Sequence, residues 1–130
     1  MRSYEQIPLV RLALSSGWEV KHHQLVEVEP TDADDIVHPQ VDVWELFFSQ
    51  DLFWAVHDGN ARLIDVGWYP DADRNGRYRL IVAELRRAIT RSGKPGYGAG
   101  RELERKETRS LKELVDAINA AAVTYDSDKS

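Results

Sequence analysis

LFWAVHDGNARLIDVGWYPDADRNGRYRLIVAEL, residues 52–85, is the stretch whose reading decides the fold. It contains three apolar runs, Leu52 to His57, Leu63 to Tyr69 and Tyr78 to Leu85. Each is rich in β-branched and aromatic residues, and two of them alternate with period two. Ile64, Val66 and Trp68 share one face of the second run, and Tyr78, Leu80 and Val82 share one face of the third. Between the runs lie Asp58-Gly59-Asn60 and the segment from Pro70 to Gly76, both with turn chemistry. Short strands joined by short turns predict an antiparallel meander.

Upstream, Val43 to Phe48 reads as a further strand, joined to Leu52–His57 through a tight turn at Ser49, Gln50 and Asp51. Trp18 to Glu29 also alternates, with Trp18, Val20, Val26 and Val28 on one face. Between them the segment from Pro30 to Gln40 reads as an acidic surface loop. Ser3 and Gln6 are spaced as a capping box, which predicts a helix ending before Gly17. Pro8 argues for its starting near residue 8.

Downstream, four glycines between Ser92 and Gly100 predict a mobile loop. Arg101 to Arg109 is charged and expected to be helical or extended at the surface. Leu111, Leu114, Val115, Ile118, Ala122 and Tyr125 then recur with helical spacing behind a Ser110/Glu113 capping box. The expected fold is a single α+β domain over residues 1–125 with a frayed tail at 126–130. An antiparallel β-sheet, a meander of about 4–5 strands, carries N- and C-terminal helices packed on one face.

The chain of 130 residues has 42% hydrophobic and 30% charged residues and no cysteine, so disulfides, thiolate catalysis and cysteine zinc sites are excluded. No apolar run approaches the roughly 20 residues of a membrane span, and Pro8 to Leu14 makes a poor signal peptide. A cytoplasmic location is expected. The net charge of −5 is unevenly spread: residues 1–75 carry −9 and residues 76–130 carry +4. Such polarity steers association with charged partners.

Catalytic signatures are weak. Asp71-Ala72-Asp73-Arg74-Asn75-Gly76 matches the first half of a calcium loop, but Val82 stands where the bidentate carboxylate is needed. An Asx-type turn is the better reading. The four histidines lack ligand spacing, and the glycines around Lys94 do not form a phosphate loop. The expectation is a protein without metal or cofactor that binds and does not catalyse. Seven aromatics between Trp44 and Tyr69 exceed what one sheet face buries easily, so one or two are expected at an interface.

The run Leu63 to Pro70, followed by Asp71, Gly76, Tyr78 and Leu80, resembles small immunity proteins encoded beside polymorphic toxins, including those of contact-dependent growth inhibition. The likeness covers residues 43–85. It implies a bacterial cytosolic toxin inhibitor that binds a cognate toxin domain, often a nuclease, and covers its active site or substrate path. It carries over no site residue. A nuclease site is positively charged to hold phosphates, so carboxylates can imitate its substrate. That argument selects Asp32, Asp34, Asp35 and Asp42 in the acidic loop, and Asp71 and Asp73 beside the candidate anchors Trp68 and Tyr69. Two other readings remain open. One is a ligand-binding domain or enzyme with an aromatic-lined pocket around Asp65. The other is a nucleic-acid-binding regulatory module using the basic C-terminal third.

Overall fold

The computed structural model describes residues 2–89 and 91–126. The strands are β1 (Arg2–Ser3), β2 (Trp18–His23), β3 (Ile36–Val37), β4 (Phe53–His57), β5 (Arg62–Tyr69), β6 (Arg77–Ile89) and β7 (Pro95–Thr108). The helices are α1 (Val43–Phe47) and α2 (Leu111–Asp126), with 3₁₀ turns at Tyr4–Gln6 and Pro30–Asp35. Strands β2-β4-β5-β6-β7 form one sheet in that order, antiparallel throughout. The short β1 and β3 pair in parallel beside it. The α+β class and the antiparallel meander expected from residues 52–85 are present.

Alternation places the sheet's residues. Phe53, Ala55, Ile64, Val66, Trp68, Tyr78, Leu80 and Val82 are fully buried on the face that α2 covers with Leu111, Leu114, Ile118, Ala121 and Ala122. Leu114 is 0% exposed, as the helical spacing requires, whereas Val115 is only partly buried. Two long-range contacts fix the helix ends. The Glu29 carboxylate accepts from the amides of Leu111 (2.8 Å) and Lys112 (3.1 Å), and the Trp18 indole N–H donates to the Ala122 carbonyl (3.0 Å).

Four expectations fail, each for a physical reason. First, the segment 43–48 is not a strand: Val43–Phe47 form helix α1. Asp42 caps it by accepting from the Trp44 amide at 2.9 Å, and one helical turn buries Val43, Trp44 and Phe47 together. Burial and the cap override aromatic strand propensity, and no hairpin forms through Ser49–Asp51. Second, the strand from Trp18 stops at His23. A register shift after Val20 breaks the alternation, and Val20 itself, on this edge strand, is 44% exposed. Residues beyond it pair with the N-terminal segment instead, through Val10 N to Leu25 O and Glu27 N to Pro8 O, both 2.9 Å.

Third, the N-terminal capping box between Ser3 and Gln6 forms, yet the helix lasts one 3₁₀ turn. Ile7 precedes Pro8 and is extended, because proline disfavours the helical conformation before it. No N-terminal helix therefore covers the sheet among the described residues; α2 and the short α1 pack on the covered face. Fourth, the glycine-rich segment is not a loop: together with its charged continuation, extended as one of the two readings of that stretch had it, it forms strand β7, paired with β6 from Ile89↔Pro95 to Tyr78↔Thr108. An edge strand with solvent on both sides needs no apolar alternation, so the periodic signal was absent. Residues 127–130 of the expected tail lie outside the described residues, and Asp126 ends α2.

Candidate functional site

The acidic segments converge at the Trp68 end of the sheet. The Asp34 carboxylate accepts from the Trp44 indole N–H (2.9 Å) and from Arg74 through Nε (3.2 Å) and Nη2 (3.0 Å). The Trp44 bond, and then Arg74, hold its carboxyl below the usual aspartate range. Asp34 and Arg74 are forty residues apart, so this contact joins the Pro30–Asp35 turn to the turn after β5. Asp71 Oδ1 accepts from the Gln50 amide (3.1 Å), and Asp73 Oδ1 accepts from the Asn75 amide (2.8 Å). The hexapeptide from Asp71 to Gly76 is thus a turn closed by Asx chemistry, as read from its sequence.

The six acids have different duties. Asp34, Asp42, Asp71 and Asp73 each satisfy a donor of the chain. Asp32 and Asp35 are exposed and make no side-chain hydrogen bond or ion pair with the described residues. Two cations, Arg74 and Arg109, stand behind the turn. Arg109 donates to the carbonyls of Arg74 (2.9 Å) and Gly76.

Trp68 is not a surface anchor. It is 0% exposed, lies edge-on to Phe48 and Tyr78, and donates its indole N–H to the Asp73 carbonyl at 2.7 Å. Strand alternation put it inward with Ile64 and Val66, and its polar tip is satisfied by the turn it supports. Tyr69 points to the opposite face, half-buried, with the Arg79 guanidinium 4.2 Å from its ring centre. Of the seven clustered aromatics, Trp44, Phe47, Phe48, Phe53 and Trp68 are core. Trp54 and Tyr69 are half-buried and available to a partner.

That second face of the sheet carries Trp54, Val56, Leu63, Asp65, Ile81, Ala83 and Leu85, a smaller apolar cluster than the first. A groove of about 250 Å³ is bounded by Asp51, Trp54, Leu63, Asp65, Tyr97, Gly98 and Ala99. Burial, and next the charge of Asp51, push the Asp65 carboxyl above the usual range. The aromatic pocket around Asp65 considered from sequence therefore has a physical counterpart. Tyr97 was missed as a wall, because it lies in a segment read as a loop. The apolar strand interrupted by Asp65, directly opposite Trp54, was the available signal.

Part of the basic third is paired. Arg87 bridges to Asp58, Arg101 to Glu84 (2.9 Å), Arg105 to Glu102 (2.8 Å) and Arg79 to Glu107 (3.8 Å). Phosphate binding would have to displace these partners. Among the described residues no group of three or more His, Asp or Glu side chains has the geometry of a metal site, and no helix is long and apolar enough to cross a membrane. Comparison of the chain with models of protein families, with curated proteins and with solved structures finds no match.

Proposed function

We propose that this chain is an immunity protein of the polymorphic-toxin kind, which neutralises a cognate toxin domain in the cytoplasm by covering a basic, phosphate-holding site. One observation carries the reading. Asp34 of the acidic segment 32–42 and Arg74 of the acidic turn 71–76, forty positions apart, meet in an ion pair at the Trp68 end of the sheet. A pre-formed acidic surface of this kind loses little conformational entropy on binding and steers a cationic partner toward it. The exposed, unengaged Asp32 and Asp35 are the groups free to meet that partner. The chain acts by occupying a surface, and its reading needs no cofactor and no catalytic step.

The test is a kinetic titration against the product of the adjoining gene at two salt concentrations. The double variant Asp32→Lys/Asp35→Lys should slow association about tenfold or more at low salt, with a smaller effect at high salt. Asp34 is left intact because its carboxylate holds Trp44 and Arg74. A control reverses Arg101, Arg105 and Lys106 to glutamate. Wild-type association by the acidic variant, with failure of the control, would refute the acidic interface and move attention to the basic third. Absence of any binding to the adjoining gene product would refute the immunity reading itself.

A further inference from the structure

The groove on the second face shares no residue with the acidic patch, and its chemistry is different. Strands β4 and β5 place Trp54 and Asp65 opposite each other, and the glycine-rich end of β7 brings Tyr97 alongside. Asp51 contributes a second carboxylate. Asp65 is half-buried, and among the described residues neither it nor Asp51 forms an ion pair. Neither nearby cation bridges to Asp51 or Asp65. Lys21 is bound by Glu19 while its ammonium lies 5.0 Å from the Tyr97 ring centre, and Arg79 faces Glu107 and Tyr69.

We infer that this groove is a socket for the guanidinium of an arginine side chain presented by a protein partner. A half-buried carboxylate with an exposed second one beside it, and no ion pair to either among the described residues, favours a cation, and two aromatic walls favour it further. A planar guanidinium stacks on aromatic faces and meets a carboxylate through two N–H groups, whereas an ammonium does neither. The size fits one side chain. About 250 Å³ lies below the roughly 300–1,000 Å³ typical of small-molecule sites. Aromatic residues and arginine are also the pair most enriched in interface hot spots.

The experiment needs no knowledge of the partner. The full chain, with its tryptophan indoles labelled for NMR, is titrated with the blocked tripeptide acetyl-Gly-Arg-Gly-amide, with its citrulline and lysine counterparts, and with free arginine. The arginine peptide should produce a saturable shift of the Trp54 indole. The neutral citrulline peptide should produce none, and the lysine peptide should bind more weakly. Asp65→Asn should weaken the arginine peptide about tenfold, as expected for loss of one charged hydrogen-bond partner. Asp35→Asn, on the other surface, should leave it unchanged. Asp65→Asn is isosteric and removes a charge that burial opposes, so it keeps the fold, and Trp54→Ala is a second probe of the aromatic wall. The proposal is overturned by absence of a saturable Trp54 shift, by equal binding of citrulline, or by undiminished binding to Asp65→Asn. Free arginine binding tenfold tighter than the peptide would overturn the protein source.

Discussion

Trp68→Phe, studied together with Gly76→Ala, tests how the core holds the acidic turn. The indole is fully buried and its N–H donates to the Asp73 carbonyl at 2.7 Å. Phenylalanine deletes that hydrogen bond, a net loss of about 1 kcal/mol. It also removes the outer ring of the indole from the core, which costs about 2 kcal/mol at roughly 0.8 kcal/mol per buried carbon group. The sum, about 3 kcal/mol, corresponds to a fall in Tm of roughly 10–15 °C for a chain of this size. Gly76→Ala strains the same place from the other side. A Cβ there would lie 2.5 Å from Trp68 Nε1 and 2.7 Å from the Tyr69 carbonyl oxygen. Overpacking of this kind costs about 1–3 kcal/mol. With phenylalanine at 68 the first clash is gone and the second remains, so the two losses should fall short of additivity by about 1 kcal/mol. Urea unfolding of the four proteins measures each ΔG and checks that the m-value is constant. A neutral Gly76→Ala, or strict additivity, would refute the reasoning that the turn is clamped on the indole.

Leu114→Ala should cost about 2–5 kcal/mol in the same assay, because its side chain is entirely buried beneath α2; a loss under 1 kcal/mol would contradict that packing. Asp65→Asn should raise stability at neutral pH. Burial and Asp51 raise the folded-state pKa, so the ionised form is disfavoured in the folded protein. That penalty is complete above the folded pKa and vanishes below the unfolded one, and the advantage of the asparagine variant should therefore close on acidification. A gap constant with pH would show that charge is not its cause. Asp32→Lys/Asp35→Lys should leave ΔG within about 0.5 kcal/mol of wild type, whereas Asp34→Lys, which breaks the Trp44 and Arg74 contacts, should destabilise measurably by thermal unfolding.

The sequence alone determined the parts whose signal is local. Strands β5 and β6 and helix α2 were legible because one face of each is buried, and burial of one face writes a period into the residues. The Asx turn at Asp71–Gly76, the capping box at Ser3 and the Ser110 cap of α2 were legible because each is completed within a few residues, although the Ser110 amide donates to Thr108 and not to Glu113. The tertiary structure decided what rests on distant contacts. Residues 43–47 became a helix because Asp42 caps it and the turn buries Val43, Trp44 and Phe47 together. β7 became a strand because β6 offered it a ladder, although its composition argued for a loop. Of the proposed partner surface, the acids were visible as residues, but their convergence depends on Asp34 meeting Arg74 across forty positions. Trp68 was misplaced because an aromatic beside an acidic turn reads the same whether it points outward or inward. Its strand phase, shared with Ile64 and Val66, sends it into the core, and only the contacts there show that its N–H is satisfied by the turn itself.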